Sequence, residues 1–276
     1  MWFDVGELKK SPMHFSHSHI TSWQQLLRGR SRQLSDWLVR CEQRKLWLCV
    51  VCILIGGGLY GATIGVWRSP LMGLYVGVKL PLLILLTLGC NAVLNGVLGL
   101  LLGSGLGILR SLFALLMSYA VFSMVLGALS PVALFLAMNS PAPDAPNASL
   151  AHSICLLIHT GLIAFAGLMS NMHLLRTLVA YCPTPQVARV TLFSWLAGNA
   201  FVGGQFSWIL RPFFGSPNLE VAFLREDAME GTFYGAVGRS LVNVLPSVSP
   251  SLVLILLVSA LIAGVVTLSL HSTNQL

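Results

Sequence analysis

Acidic side chains are missing from every apolar stretch of this chain. Its nine Asp and Glu residues all lie outside the runs long enough to cross a bilayer. No span therefore offers the carboxylate that aspartyl intramembrane proteolysis needs, and proton- or cation-coupled transport is left without its usual relay. Charge of either sign is scarce: 9% of the 276 residues are charged and 55% are hydrophobic, with a mean hydropathy of +0.80. Too little polar surface remains to cover a water-soluble globule, so the solvent of most of the chain is lipid. Two catalytic motifs are also lacking, the HExxH zinc site and the Gly-x-Ser-x-Gly nucleophile elbow. Gly103 and Gly105 begin something like a dinucleotide fingerprint, but Ile108 occupies the third glycine position and no strand precedes it.

What is present is a series of long apolar runs. Reading for about 20 apolar residues gives six candidate spans, 46–66, 80–102, 112–137, 152–172, 190–210 and 251–270. The expectation is an all-α protein, an integral membrane helical bundle of about six transmembrane helices. Residues 46–276 form this transmembrane domain, and residues 1–45 form a basic cytoplasmic tail. The first apolar run follows some forty-five polar and charged residues, so a cleavable signal peptide is not expected and the first helix reads as a retained anchor.

Eight of the sixteen Lys and Arg residues lie in that tail. With the N-terminus in the cytoplasm, the inner side also carries Arg110, Arg176 and Arg189, while the outer side carries Arg68, Lys79, Arg211, Arg225 and Arg239. The bias favours this orientation, and a bacterial cytoplasmic (inner) membrane is the expected location. Residues 20–44 interleave Trp23, Leu26, Leu27, Leu34, Trp37 and Leu38 with Arg28, Arg30, Arg32 and Arg40, spacings that a helix sorts onto two faces. A basic amphipathic helix on anionic lipid follows. Membrane lipids are thus the first expected partner, with a membrane protein partner or a homo-oligomer as the second, and no nucleic acid.

No disulfide framework is implied by the six cysteines, because Cys49, Cys52, Cys90 and Cys155 fall in or beside apolar helices and act there as small hydrophobes. Cys49 and Cys52 form a CxxC without a second pair, and His14, His17 and His19 stand in the tail without a matching ligand. No metal and no cofactor are assigned. His152, Ser153 and His159 lie near the start of the fourth span with no acid to orient them, and no catalytic residue is assigned.

Glycines recur at four-residue spacing, at Gly57, Gly61 and Gly65 in the first span and at Gly99, Gly103 and Gly107 at the end of the second. Small residues on one face let helices approach closely in lipid, so both sets are expected to be packing seams. Residues 71–78 are apolar but too short to span. A lysine at the centre of a spanning helix costs on the order of 3 kcal/mol, and a proline removes a backbone hydrogen bond. A break at Lys79 is therefore expected, with 71–78 as an interfacial or re-entrant helix before Pro81. Asn91 and Asn95 share a face of the second span, and Asn199 and Gln205 give the fifth comparable polarity. These amides either lock the two helices together or line a polar path beneath Lys79.

The connection at 208–227 opens with Trp208, Arg211 and Pro212 and turns at Gly215, Ser216 and Pro217. Beyond the acidic Glu226, Asp227 and Glu230, an apolar stripe of Phe233, Val237, Leu241 and Val244 predicts a second interfacial helix. Lys79, Arg211 and Arg225 can then face the acidic cluster or a lipid headgroup. Tyr60-Gly61, Trp67 with Ser69-Pro70, Lys79-Leu80-Pro81, Ser130-Pro131, and Phe201-Val202-Gly203-Gly204-Gln205 running into Trp208-Ile209-Leu210-Arg211-Pro212-Phe213 carry a resemblance to a family of largely uncharacterised bacterial polytopic membrane proteins. In helical architecture the chain is also similar to the Yip1-type membrane proteins. The resemblance implies no activity and no catalytic residues; it does imply that the Lys79 and Arg211 segments belong together. The expected function is a non-catalytic scaffold or assembly component of a membrane complex. The alternatives are a lipid or small-solute transporter with a site near Lys79 between helices two and five, and a membrane enzyme using His159.

Overall fold

The computed structural model describes residues 42–215 and 220–247. These form six α-helices: α1 (Gln43–Val66), α2 (Pro70–Leu101), α3 (Ile108–Asn139), α4 (Ala148–Tyr181), α5 (Pro185–Ile209) and α6 (Phe233–Val244), the last running into a 3-10 turn at Leu245–Ser247. Helices α1 to α4 are long and apolar enough to cross a membrane. Helix α5 carries Arg189 and the amides Asn199 and Gln205 and is not among those four, and α6 has only 12 residues. The sixth expected span, 251–270, and nearly all of the expected amphipathic helix at 20–44 lie outside the described residues.

Local chemistry fixes where the helices begin. The Ser69 hydroxyl accepts a hydrogen bond from the backbone N–H of Met72, with Pro70 in the first turn of α2. Thr184 does the same for Val187, with Pro185 at the start of α5, and Thr232 does so for Gly235 at the start of α6. A hydroxyl cap followed by proline satisfies or dispenses with the first free donors of a helix.

The expected break at Lys79 is not there. Residues 71–78 form the opening turns of a single 32-residue helix that contains both Lys79 and Pro81. Two physical reasons account for the difference. At 1.5 Å per residue α2 is about 48 Å long, well beyond the roughly 30 Å hydrocarbon thickness, so a lysine at its tenth position need not sit at mid-bilayer. Lys79 also has an oxygen to bond, the carbonyl of Pro212 at 3.0 Å. Pro81 gives up one backbone bond but seats its ring in the notch at Gly57, where an added Cβ would lie 3.5 Å from the proline Cγ.

Helix α1 packs along both α2 and α3. Its side chains Cys49, Ile53 and Tyr60 are fully buried. A Cβ on Gly61 would meet the Val76 carbonyl oxygen at 2.5 Å, and one on Gly65 would meet that of Met72 at 2.5 Å. The next face of the same helix uses Gly56, whose Cβ would run into the Ser123 backbone of α3. The second expected seam stops at Gly99, which lies against Ser104 and Trp195. Gly103 and Gly107 are not part of a packing seam: both belong to the turn between α2 and α3 and have no atom near an added Cβ. Gly103 is there because the turn takes φ = +72°, a conformation that glycine adopts without strain.

The helices run up and down through short connections, so one end of the bundle collects the end of α1, the start of α2, the end of α3, the start of α4 and the end of α5. Trp67 Nε1 donates to the Pro141 carbonyl across that end. Gly61→Ala is expected to lower the thermal midpoint of the purified protein by an amount equivalent to about 1–3 kcal/mol of overpacking. Gly89→Ala, at an exposed helical glycine with open space around it, is expected to leave the midpoint unchanged or raised. Equal effects of the two substitutions would refute the close packing of α1 on α2.

Candidate functional site

The residues that can do chemistry collect where the chain leaves α5. Pro212 has no N–H to continue the helix, and the connection turns back over the bundle with a cis Arg211–Pro212 bond. Gly215 takes φ = +68°, and a Cβ there would press on Arg68 at 2.7 Å. This places Pro212, Phe213 and Phe214 on top of α1, α2 and α4.

Three contacts hold this plug. Lys79 is fully buried. Its Nζ donates to the Pro212 carbonyl and lies 4.8 Å from the centre of the Phe223 ring and 6.0 Å from that of Phe213. Both rings are at a distance where the face of an aromatic attracts a cation. Phe214 packs between two histidines of α4, 5.3 Å from the His159 ring and 6.4 Å from that of His152. Arg211 turns outward, stacks over Trp208 at 4.1 Å, donates to the Ala228 carbonyl at 2.9 Å and pairs with the Asp227 carboxylate at 3.0 Å. Of the acidic cluster, Asp227 pairs with Arg211, and among the described residues no carboxylate pairs with Lys79.

His159 is buried, and its Nδ1 lies 3.0 Å from the Tyr60 hydroxyl. A phenol fixes the ring but is far too weak an acid to act as the carboxylate of a catalytic triad. Among the described residues no three His, Cys, Asp or Glu side chains come close enough to share a metal ion, and Cys49 and Cys52 are free thiols. Cys182, just beyond α4, has its thiol pushed up by burial, which keeps it protonated and unreactive at neutral pH.

A second group lies farther along α2, against α5. Asn95 donates to Asn199 at 3.0 Å. Asn91, one turn nearer Lys79, is fully buried with neither amide atom bonded, and the Asn95 carbonyl oxygen is likewise unbonded. Trp195 Nε1, Thr191 Oγ1 and Ser111 Oγ share that condition. An unbonded amide in an apolar interior costs roughly 2–7 kcal/mol. Gln205 is half-buried on α5 and joins neither group by a hydrogen bond among the described residues.

The sequence reading placed Lys79 and Arg211 in one neighbourhood, and they are joined through Pro212. It named His159 without its phenol partner, gave Phe213 only among the residues that carry the resemblance, and did not single out Phe214. Two consecutive aromatics between a proline and a glycine, opposite a lysine in an apolar run, were the available signal. Lys79→Met is expected to keep the volume and lose the bond to Pro212. Backbone amide exchange across 213–230 should then quicken several-fold while α1 stays protected, and unchanged exchange would show that the plug does not depend on the lysine. Comparison of the chain with protein-family models, with curated proteins and with solved structures finds no match.

Proposed function

We propose that this chain is a non-catalytic membrane protein that serves as a structural component of a larger membrane assembly. The observation that carries the reading is the closure of the polar end of the bundle by the chain's own residues. Lys79 is engaged by Pro212 and Phe223, Arg211 by Asp227 and Ala228, and His159 by Tyr60 and Phe214. These three groups are already bonded within the chain. Among the groups that face outward, Met229, Tyr234, Val242 and Leu245 are exposed on and around α6 beside Arg239 and Asn243, on a helix too short to cross a membrane. An inner-membrane location with the N-terminus in the cytoplasm belongs to the same proposal and rests on the eleven to five distribution of basic residues. Membership of the polytopic family resembled above is likewise proposed.

A second reading, a lipid or small-solute transporter with a site near Lys79 between α2 and α5, is favoured by one observation, the unbonded Asn91 amide on that face. Uptake or lipid binding that is unchanged in Lys79→Met and in Asn91→Leu would remove it.

For the assembly reading, the full chain carrying a photo-reactive residue in place of Val242 is cross-linked in native membranes. One partner is expected at fixed stoichiometry, recovered equally in a His159→Gln background. A protein that stays strictly monomeric and yields no reproducible cross-link would overturn the reading.

A further inference from the structure

Helices α2 and α5 meet along a face with polar atoms on both sides and few bonds between them. Asn91 is fully buried with both amide atoms unbonded, and Asn95 is fully buried with its carbonyl oxygen unbonded. Opposite them stands Gly198 of α5, where an added Cβ would lie 3.7 Å from each of those two oxygens. A methyl group at that position would touch both oxygens, so the two converge on the same point of α5. One turn farther along α2, an added Cβ at Gly99 would lie 3.3 Å from the Trp195 ring and 3.5 Å from Ser111 Oγ. The Trp195 N–H and the Ser111 hydroxyl are themselves buried and unbonded.

The chemistry of these groups narrows what they can hold. None carries a charge, and Lys79 is twelve residues back along α2, about 18 Å away. A bare cation would satisfy the Asn91 and Asn95 oxygens but leave the Asn91 amide N–H and the Trp195 N–H without acceptors. An anion would satisfy those donors and face two carbonyl oxygens. Only a neutral molecule with both donors and acceptors bonds to all of them.

We infer that the α2–α5 seam is a binding site, lined by Asn91, Asn95, Gly198, Ser111 and Trp195, for a small uncharged molecule that donates and accepts hydrogen bonds. Water is the smallest such occupant, and a hydroxyl- or amide-bearing solute has the same chemistry. The site stands apart from the plug at Lys79 and does not depend on the assembly reading.

X-ray hydroxyl-radical footprinting of the full chain in lipid nanodiscs tests it, because radicals form from water in place and oxidise the side chains beside it. Trp195 is fully buried and Phe113, in the apolar core of α3, is 1% exposed. After correction for intrinsic reactivity, Trp195 is expected to be labelled about tenfold faster than Phe113, as a side chain beside ordered buried water should be. Glycerol and urea are then titrated as neutral probes: protection of Trp195 identifies a solute site, and unchanged labelling identifies water as the occupant. Gly198→Ala places a methyl group in the notch at ordinary contact distance and should reduce Trp195 labelling to near the Phe113 rate in a protein that elutes and melts like the wild type. Asn91→Leu should act in the same direction. The inference is overturned if Trp195 in the wild-type chain is labelled no faster than Phe113, or if folded Gly198→Ala leaves the labelling unchanged.

Discussion

An ammonium group inside a bundle of apolar helices needs an oxygen, and in this protein the end of the fold is arranged around supplying one. Lys79 of α2 is buried under the connection that follows α5, and its bond to the Pro212 carbonyl crosses 133 positions of sequence. The carbonyl is free to accept because Pro212 ends the helix, and the two phenylalanines that follow fill the space around the lysine and between the histidines of α4. Breaking one partner of such a pair leaves a buried charge without compensation, which costs more than the bond itself contributes. The path of residues 211–215 is therefore tied to the helix that carries Lys79, and the Arg211–Asp227 pair secures the outer side of the same turn.

The close approach of α1 to its neighbours makes this arrangement possible. Gly61 and Gly65 let the backbone of α2 come within a distance that no larger residue would permit, and hydrophobic burial gives no drive for helices to associate in lipid. Dispersion contacts and backbone proximity replace it. The same closeness puts Tyr60, one residue before Gly61, within hydrogen-bonding distance of His159 on α4.

Much of the architecture was legible in the sequence because lipid imposes a strong and simple pattern. The first five apolar runs each correspond to a helix, α1 ends at the expected Val66, and α6 runs from Phe233 to Val244 as the apolar stripe predicted. The boundary at Lys79 was not legible, because its energetics depend on Pro212, far away in the sequence and unseen by any local count of hydropathy. Gly103 and Gly107 continued the spacing of Gly99 by coincidence, since spacing along a chain says nothing once the helix has ended at Leu101. Residues of the site were legible in kind but not in pairing. Lysines, histidines and amides in apolar runs announce that partners exist; only the fold says that the partners are a proline carbonyl, a tyrosine hydroxyl and another asparagine.

The two polar groups of the bundle differ in a way that bears on what each can do. At the plug, Lys79, Arg211 and His159 each have a partner from the chain itself, and the rings of Phe213 and Phe223 pack around the lysine. Along the α2–α5 seam, one bond joins Asn95 to Asn199 while neighbouring atoms of Asn91, Trp195 and Ser111 are left over. A protein under pressure only to hold two helices together would be served by the single bond, or by leucine at position 91, since removing an unsatisfied amide is favourable in an apolar interior. Retaining an amide with four bonding positions, opposite a glycine whose added Cβ would stand 3.7 Å from the Asn91 and Asn95 oxygens, costs stability unless something bonds to it. The plug holds the shape of the bundle, and the seam is the place in it where a molecule from outside the chain has bonds to make.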